Sequence, residues 1–102
     1  MDILENSTML IAIAGDGRSY SLMAIDEAQK GNFEKADEYL KKADESLVEG
    51  HKYQSELLRA EAKDEKLEIS ILLIHAQDHL MNAMTIYDLA KLLVPFYKKT
   101  LQ

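Results

Sequence analysis

Apolar residues recur along this chain at helical spacing in three long segments. In the first, from about Glu5 to Lys30, Leu10, Ile13, Ala14, Gly17, Ser21, Ala24, Ile25 and Ala28 form one stripe. Gly31-Asn32 follows as a stop-and-restart signal, with Asn32 expected to cap the next helix and Glu34 favourable in its first turn. In the second segment Phe33, Ala36, Leu40, Ala43, Leu47, Gly50, Gln54 and Leu57 step by alternating three and four residues, a heptad-like seam. That seam lapses where Gly50, His51 and Gln54 interrupt it. Buried polar residues on a seam often set register; the alternative is that these three face a functional site.

Lys63-Asp64-Glu65-Lys66 has no apolar residue and reads as the link to the third segment, about Ser70 to Lys99. There Leu73, Leu80, Tyr87 and Val94 lie on one side, while Leu72, Ile86, Leu89 and Leu93 lie elsewhere around the cylinder. Pro95 is expected to bend this helix or end its regular hydrogen bonding near Lys91 to Val94. A three-helix monomer covers a stripe of only about 100° on each helix, so apolar residues on nearly every side predict self-association. Gly15 and Gly17 each weaken helix one by about 1 kcal/mol relative to alanine. Close helix packing, a kink, or close approach of a ligand or partner would each account for them.

The expectation is therefore an all-α fold, an antiparallel three-helix bundle making one domain over residues 1–102. Four glycines and one proline among 102 residues favour helices over strands. A formal charge of -6 argues against nucleic acid and against an anionic membrane surface, and suits a partner with a basic face. The absence of cysteine excludes disulfides, thiolate metal sites and thiol nucleophiles. With no signal-like start and no apolar run of about 18–20 residues, the chain is expected to be soluble and cytoplasmic.

The chemistry concentrates in His75-Ala76-Gln77-Asp78-His79-Leu80-Met81. His75, Asp78, His79 and Asn82 fall at i, i+3, i+4 and i+7 and share one face. Two imidazoles and a carboxylate are costly to bury there without partners. His75 and His79 could chelate zinc from one helix, with Asp78 and His51 as further ligands. The protease version of that spacing needs glutamate directly after the first histidine, and this chain has Ala76. Alternatively His75 is a nucleophile. An imidazole is largely neutral near pH 7 and needs no activating base to attack a phosphoryl donor. A place near the start of helix three adds the favourable field of a helix N-terminus, and His79 could donate to the phosphoryl oxygens. On residue chemistry alone, nucleophile and structural histidine are close competitors.

The segment resembles the active-site signature of the lactose/cellobiose family of enzyme IIA proteins of the bacterial sugar phosphotransferase system. Ala14-Gly15-Asp16-Gly17-Arg18-Ser19, Gly31-Asn32-Phe33-Glu34-Lys35-Ala36 and Gly50-His51-Lys52-Tyr53-Gln54-Ser55, followed by Glu61-Ala62, resemble further family segments in order. Gly17 and Gly50 stand where alanine is more usual and are expected to loosen helices one and two. The link after Ala62 also lacks the family's common glycine.

The resemblance implies that His75 accepts a phosphoryl group from the histidine-containing phosphocarrier protein through Nε2. It passes the group to a cysteine of the IIB component, and the membrane IIC component couples transfer to uptake of a β-glucoside or β-galactoside disaccharide. It further implies a homotrimer in which Asp78 is shared at the three-fold axis. Converging carboxylates repel, and a divalent cation, most naturally magnesium, would compensate them. Gln77, about 200° around the helix from His75, is assigned to packing or an interface. Whether the sugar is lactose, cellobiose, chitobiose or another glycoside rests with the membrane and IIB partners. The competing readings are a non-enzymatic helical adaptor and a metal-binding helical bundle.

Overall fold

A computed structural model describes residues 2–63 and 68–101. Three helices account for nearly all of them: α1 (Ile3–Gln29), α2 (Phe33–Ala62) and α3 (Ile71–Leu101). Each begins and ends for identifiable reasons. Asp2 caps α1, its carboxylate accepting from Glu5 N–H at 3.0 Å. Gly31 closes α1 in the left-handed region at φ 83°, where a side chain would be strained. Its N–H reaches the Ala28 carbonyl and that of Asn32 the Glu27 carbonyl, satisfying acceptors the helix end leaves free.

That closure changes the expected role of Asn32. It occupies the N-cap position of α2 but makes no side-chain cap. Its amide instead donates to Glu27 Oε2 at 2.8 Å, strapping the turn to the end of α1. Ser70 supplies the cap that the sequence reading overlooked, its Oγ accepting from Leu73 N–H at 3.1 Å. The proposed link is only partly visible. Lys63 terminates α2 in a turn, whereas Asp64, Glu65 and Lys66 lie outside the described residues.

Pro95 does not end α3, which runs unbroken to Leu101. Proline removes one backbone donor, so a single helical bond is lost. Packing on either side holds the helix across that gap. Val94 is buried, and the Tyr97 hydroxyl accepts from Gln29 Nε2 at 3.0 Å.

The helices alternate in direction, with α1 packed extensively on both neighbours and α2 and α3 touching each other less. The result is a rod of 55 × 19 × 16 Å. Its core is two clusters. The larger contains Leu10, Leu47, Leu57 and Leu80. The smaller is built on Ala24, Ala28, Ala36 and Val94. Burying each leucine contributes about 1.5–3 kcal/mol, and the alanines let helix axes approach closely.

Two glycines serve that approach. A Cβ on Gly17 would lie 2.8 Å from Leu47 Cδ2, and one on Gly50 would lie 3.0 Å from Leu80 Cδ1. They exchange helix propensity for close packing, so the expected loosening is offset by contact. Gly15 has open space and takes no part in it. Gly50 thus continues the α2 seam, and only Gln54 breaks its apolar character.

Candidate functional site

The packing of α3 determines where its chemistry points. Ala76, Leu80, Ala83, Ala90 and Val94 face the bundle and are buried. At about 100° per residue, Ile71, Ile74, Asp78, Met81, Leu89, Leu92 and Phe96 form a stripe diametrically opposite. All seven are exposed, Ile71 at 88% and Leu92 at 70%. His75, His79 and Asn82 occupy the flank between the two stripes. His75 and Asn82 are exposed and His79 is half-buried.

The two imidazoles meet. Their ring centroids are 4.4 Å apart and the planes lie at 87°, so one ring presents its edge to the other's face. Among the described residues neither ring is engaged in a side-chain hydrogen bond or ion pair. Their nitrogens remain available to a reagent arriving from solvent.

The start of α3 offers less to an anion than its position suggests. Ser70 Oγ already takes the N–H of Leu73, and the Ser70 carbonyl takes that of Ile74 at 3.1 Å. Among the described residues no partner takes the first-turn N–H groups of Ile71 and Leu72. His75 follows one turn on, at the margin of that terminus's field.

The candidates separate into different places. His51 faces away from His75, lining a groove of about 160 Å³ between α2 and α3 with Asp44, Leu47, Met84, Tyr87 and Asp88. The largest of the described grooves, about 670 Å³, runs along α2 past Glu45, Glu49, Lys52 and Tyr53, with Asn6 of α1. Neither contains His75, which is exposed. Among the described residues no group of three His, Cys, Asp or Glu side chains could hold a metal. The zinc arrangement of His75, His79, Asp78 and His51 therefore does not assemble within one protomer.

Gln77, half-buried, accepts from Gln54 Nε2 at 3.0 Å, so it belongs to packing inside the bundle. Gln54 thereby explains itself as a polar member of the α2 seam, bonded across to α3 and turned away from the histidine face. Tyr87 is the perturbed group nearest to His51. Burial first, and the Asp44 carboxylate second, raise its phenol above the ordinary range.

The arrangement offers an accessible nucleophilic nitrogen beside a second imidazole, on an exposed flank of a helix and outside the two grooves. Such a surface suits a macromolecular reagent better than a small substrate, which would call for a concave site.

Comparison with known proteins gives a consistent picture. The family model described as "PTS system, Lactose/Cellobiose specific IIA subunit" matches residues 5–98. The lichenan-specific phosphotransferase enzyme IIA component of Bacillus subtilis (strain 168) is 46% identical over 90 residues, covering 88% of this chain and 82% of that one. Among solved structures, the cellobiose-specific enzyme IIA from Bacillus anthracis superposes with a TM-score of 0.94 at 44% identity, covering 98% of this chain and 92% of that one. The Escherichia coli IIA(Chitobiose) structure, determined in complex with HPr, gives 0.85 at 29% identity over 100% and 99% of the two chains.

Proposed function

Because the chain belongs to the lactose/cellobiose-specific IIA family of the phosphotransferase system, we propose that His75 is its phosphoryl acceptor, charged by the histidine-containing phosphocarrier HPr. Membership makes the chain a phosphotransferase component of a sugar uptake system. The assignment of His75 rests on one observation above all. It is an exposed imidazole set edge-to-face against a second one, on the flank of α3 between its buried and its solvent-facing stripes.

In the proposed step His75 Nε2 attacks the phosphorus of the donor's phosphohistidine. A P–N bond forms on His75 as the donor's P–N bond breaks; the donor nitrogen keeps the bonding pair and takes up one proton while His75 gives up its Nδ1 proton to solvent, so both rings end neutral. His79 donates a hydrogen bond to the phosphoryl oxygens, whose charge persists through the transfer. A cysteine thiolate of the IIB component then attacks, forming P–S and releasing His75. Since His75 stands on an open surface, the docked partner excludes water during each step. The E. coli relative's structure with HPr supports HPr as the donor. The relatives are named for lichenan, cellobiose and chitobiose, so a β-linked sugar is the expected cargo of the membrane IIC component.

The outer stripe of α3 supports a homotrimer with three copies of α3 about one axis. Ile74, Met81, Leu89 and Leu92 leave water in that arrangement, each contributing up to about 1.5–3 kcal/mol. Asp78 sits among them, exposed and outside the described ion pairs. One chain cannot make a cation site from a single carboxylate, but three copies can. Magnesium held by three Asp78 side chains would neutralise their repulsion and serve assembly, leaving phosphoryl transfer to the histidines.

The test is phosphorylation with phosphoenolpyruvate and the general phosphotransferase proteins, read by intact mass. The wild-type chain gains one phosphoryl mass that mild acid removes. His75→Ala stays folded and unlabelled; acid-labile label on that variant would exclude His75.

A further inference from the structure

The α3 helix has an ambiguity that burial of apolar surface does not resolve. Its bundle-facing stripe and its solvent-facing stripe are both apolar and lie about half a turn apart. Rotating α3 by half a turn would still bury isoleucine, methionine and leucine against α1. It would also carry Asp78 into the core and turn His75 toward α2. Something other than hydrophobicity must choose the face.

We propose that the Gln54–Gln77 hydrogen bond makes that choice, and that Gln54 and Gln77 are positioning residues for His75. Gln77 lies about 100° from the buried centre of α3, on the side that meets α2, where Gln54 donates to it at 3.0 Å. In the rotated arrangement Gln77 faces away, and Gln54 is left as a part-buried amide without its partner. Asp78 opposes the wrong face and Gln77 rewards the right one. Polar pairs within apolar seams fix register and orientation in this way, where an all-apolar layer tolerates several arrangements.

The layer extends beyond the pair. Gly50 meets Leu10 and Leu80 at one level of the bundle. One turn toward the His75 end brings Ser7 of α1, Gln54 of α2 and Gln77 of α3 to a common level. Ser7 is 1% exposed, and its hydroxyl has no side-chain partner of its own. All three helices therefore carry a polar side chain at the level of the reacting histidine, between layers of leucine and alanine. Ser21, the other buried polar residue, is by contrast satisfied within α1 by the Gly17 carbonyl.

The consequence for phosphoryl transfer rests on the reading of His75 as acceptor. The consequence for the orientation of α3 does not. Gln54→Leu, Gln77→Leu and the double variant separate the two. Each single variant leaves one part-buried amide unpaired, so both are expected to melt below wild type. The double variant replaces the pair by apolar groups and is expected to melt at or above wild type.

Activity should not track stability across the three variants. All three variants are expected to lose about ten- to a hundredfold in phosphorylation rate, the double no worse than the singles. In ring NMR spectra of His75 and His79, wild type should give one set of signals and the double variant a second or exchange-broadened set. Full rate and a single set in the double variant would overturn the proposal, because Asp78 alone would then set the face. A slow Gln77→Leu beside a normal Gln54→Leu would also overturn it, placing Gln77 at the phosphoryl group itself. If wild type takes no phosphoryl group the acceptor reading fails, and the spectra and melting points still decide the orientation of α3.

Discussion

The rings of His75 and His79 stand 4.4 Å apart at 87°, one helical turn separating their backbones. The spacing of i and i+4 brings the side chains together, and the helix backbone fixes their separation. In the proposed function, this makes His79 the neighbouring side chain that would donate to a phosphoryl group on His75.

His79→Ala should slow phosphorylation of His75 by roughly ten- to a hundredfold, less than the two to three decades lost from an enclosed oxyanion site. Labelling should still reach completion, since His79 assists without carrying the group. Single-turnover kinetics with the phosphorylated donor measure this, and an unchanged rate would remove His79 from the site.

In the proposed trimer, Asp78→Leu is expected to keep or strengthen the assembly while abolishing the proposed magnesium binding. The substitution removes three converging charges and adds apolar surface to the stripe of Ile74 and Met81. Sedimentation velocity with and without magnesium gives the answer. A monomeric variant would show that the carboxylates and their ion hold the assembly together.

The two glycines of α1 should respond unequally to alanine. Gly15 has open space where a Cβ would go, so Gly15→Ala should gain about 1 kcal/mol from helix propensity. Gly17→Ala should fall short of that gain or lose stability, because its Cβ meets Leu47 Cδ2 at 2.8 Å and Leu47 must shift within the core. Urea denaturation of both variants tests the order.

Tyr87 should make stability fall at high pH. Its phenol holds its proton more tightly in the folded chain than at the ordinary value of 10.0, through burial and then through Asp44. The folded state therefore binds more protons than the unfolded one in that range. The stabilisation is complete below about pH 10 and is lost as pH rises through the folded value. Tyr87→Phe should flatten this decline, measured as the midpoint of urea unfolding between about pH 9 and pH 11.

Much of this molecule is written in local pattern. The α1 stripe from Leu10 to Ala28 and the α2 seam from Phe33 to Leu57 both turn inward as their spacing requires, since a helix must bury the face on which its apolar residues recur. Family membership was likewise legible, because His75 to Met81 and three weaker segments are contiguous strings.

Pairwise geometry decided the remainder. Asn32 has the residue type of a cap, yet Glu27 claims its side chain. Pro95 has the residue type of a helix end, yet Val94 and Tyr97 hold α3 through it. His51 could have joined His75 on spacing alone, but the rotation of α2 sends it to the groove with Tyr87 and Asp88. Most telling is α3, which carries apolar residues on two opposite stripes. Spacing determines which residues share a face; it does not determine which face turns inward. That choice falls to contacts between residues distant in the chain, such as Gln54 with Gln77 and Gly50 with Leu80, which exist only once the helices are packed.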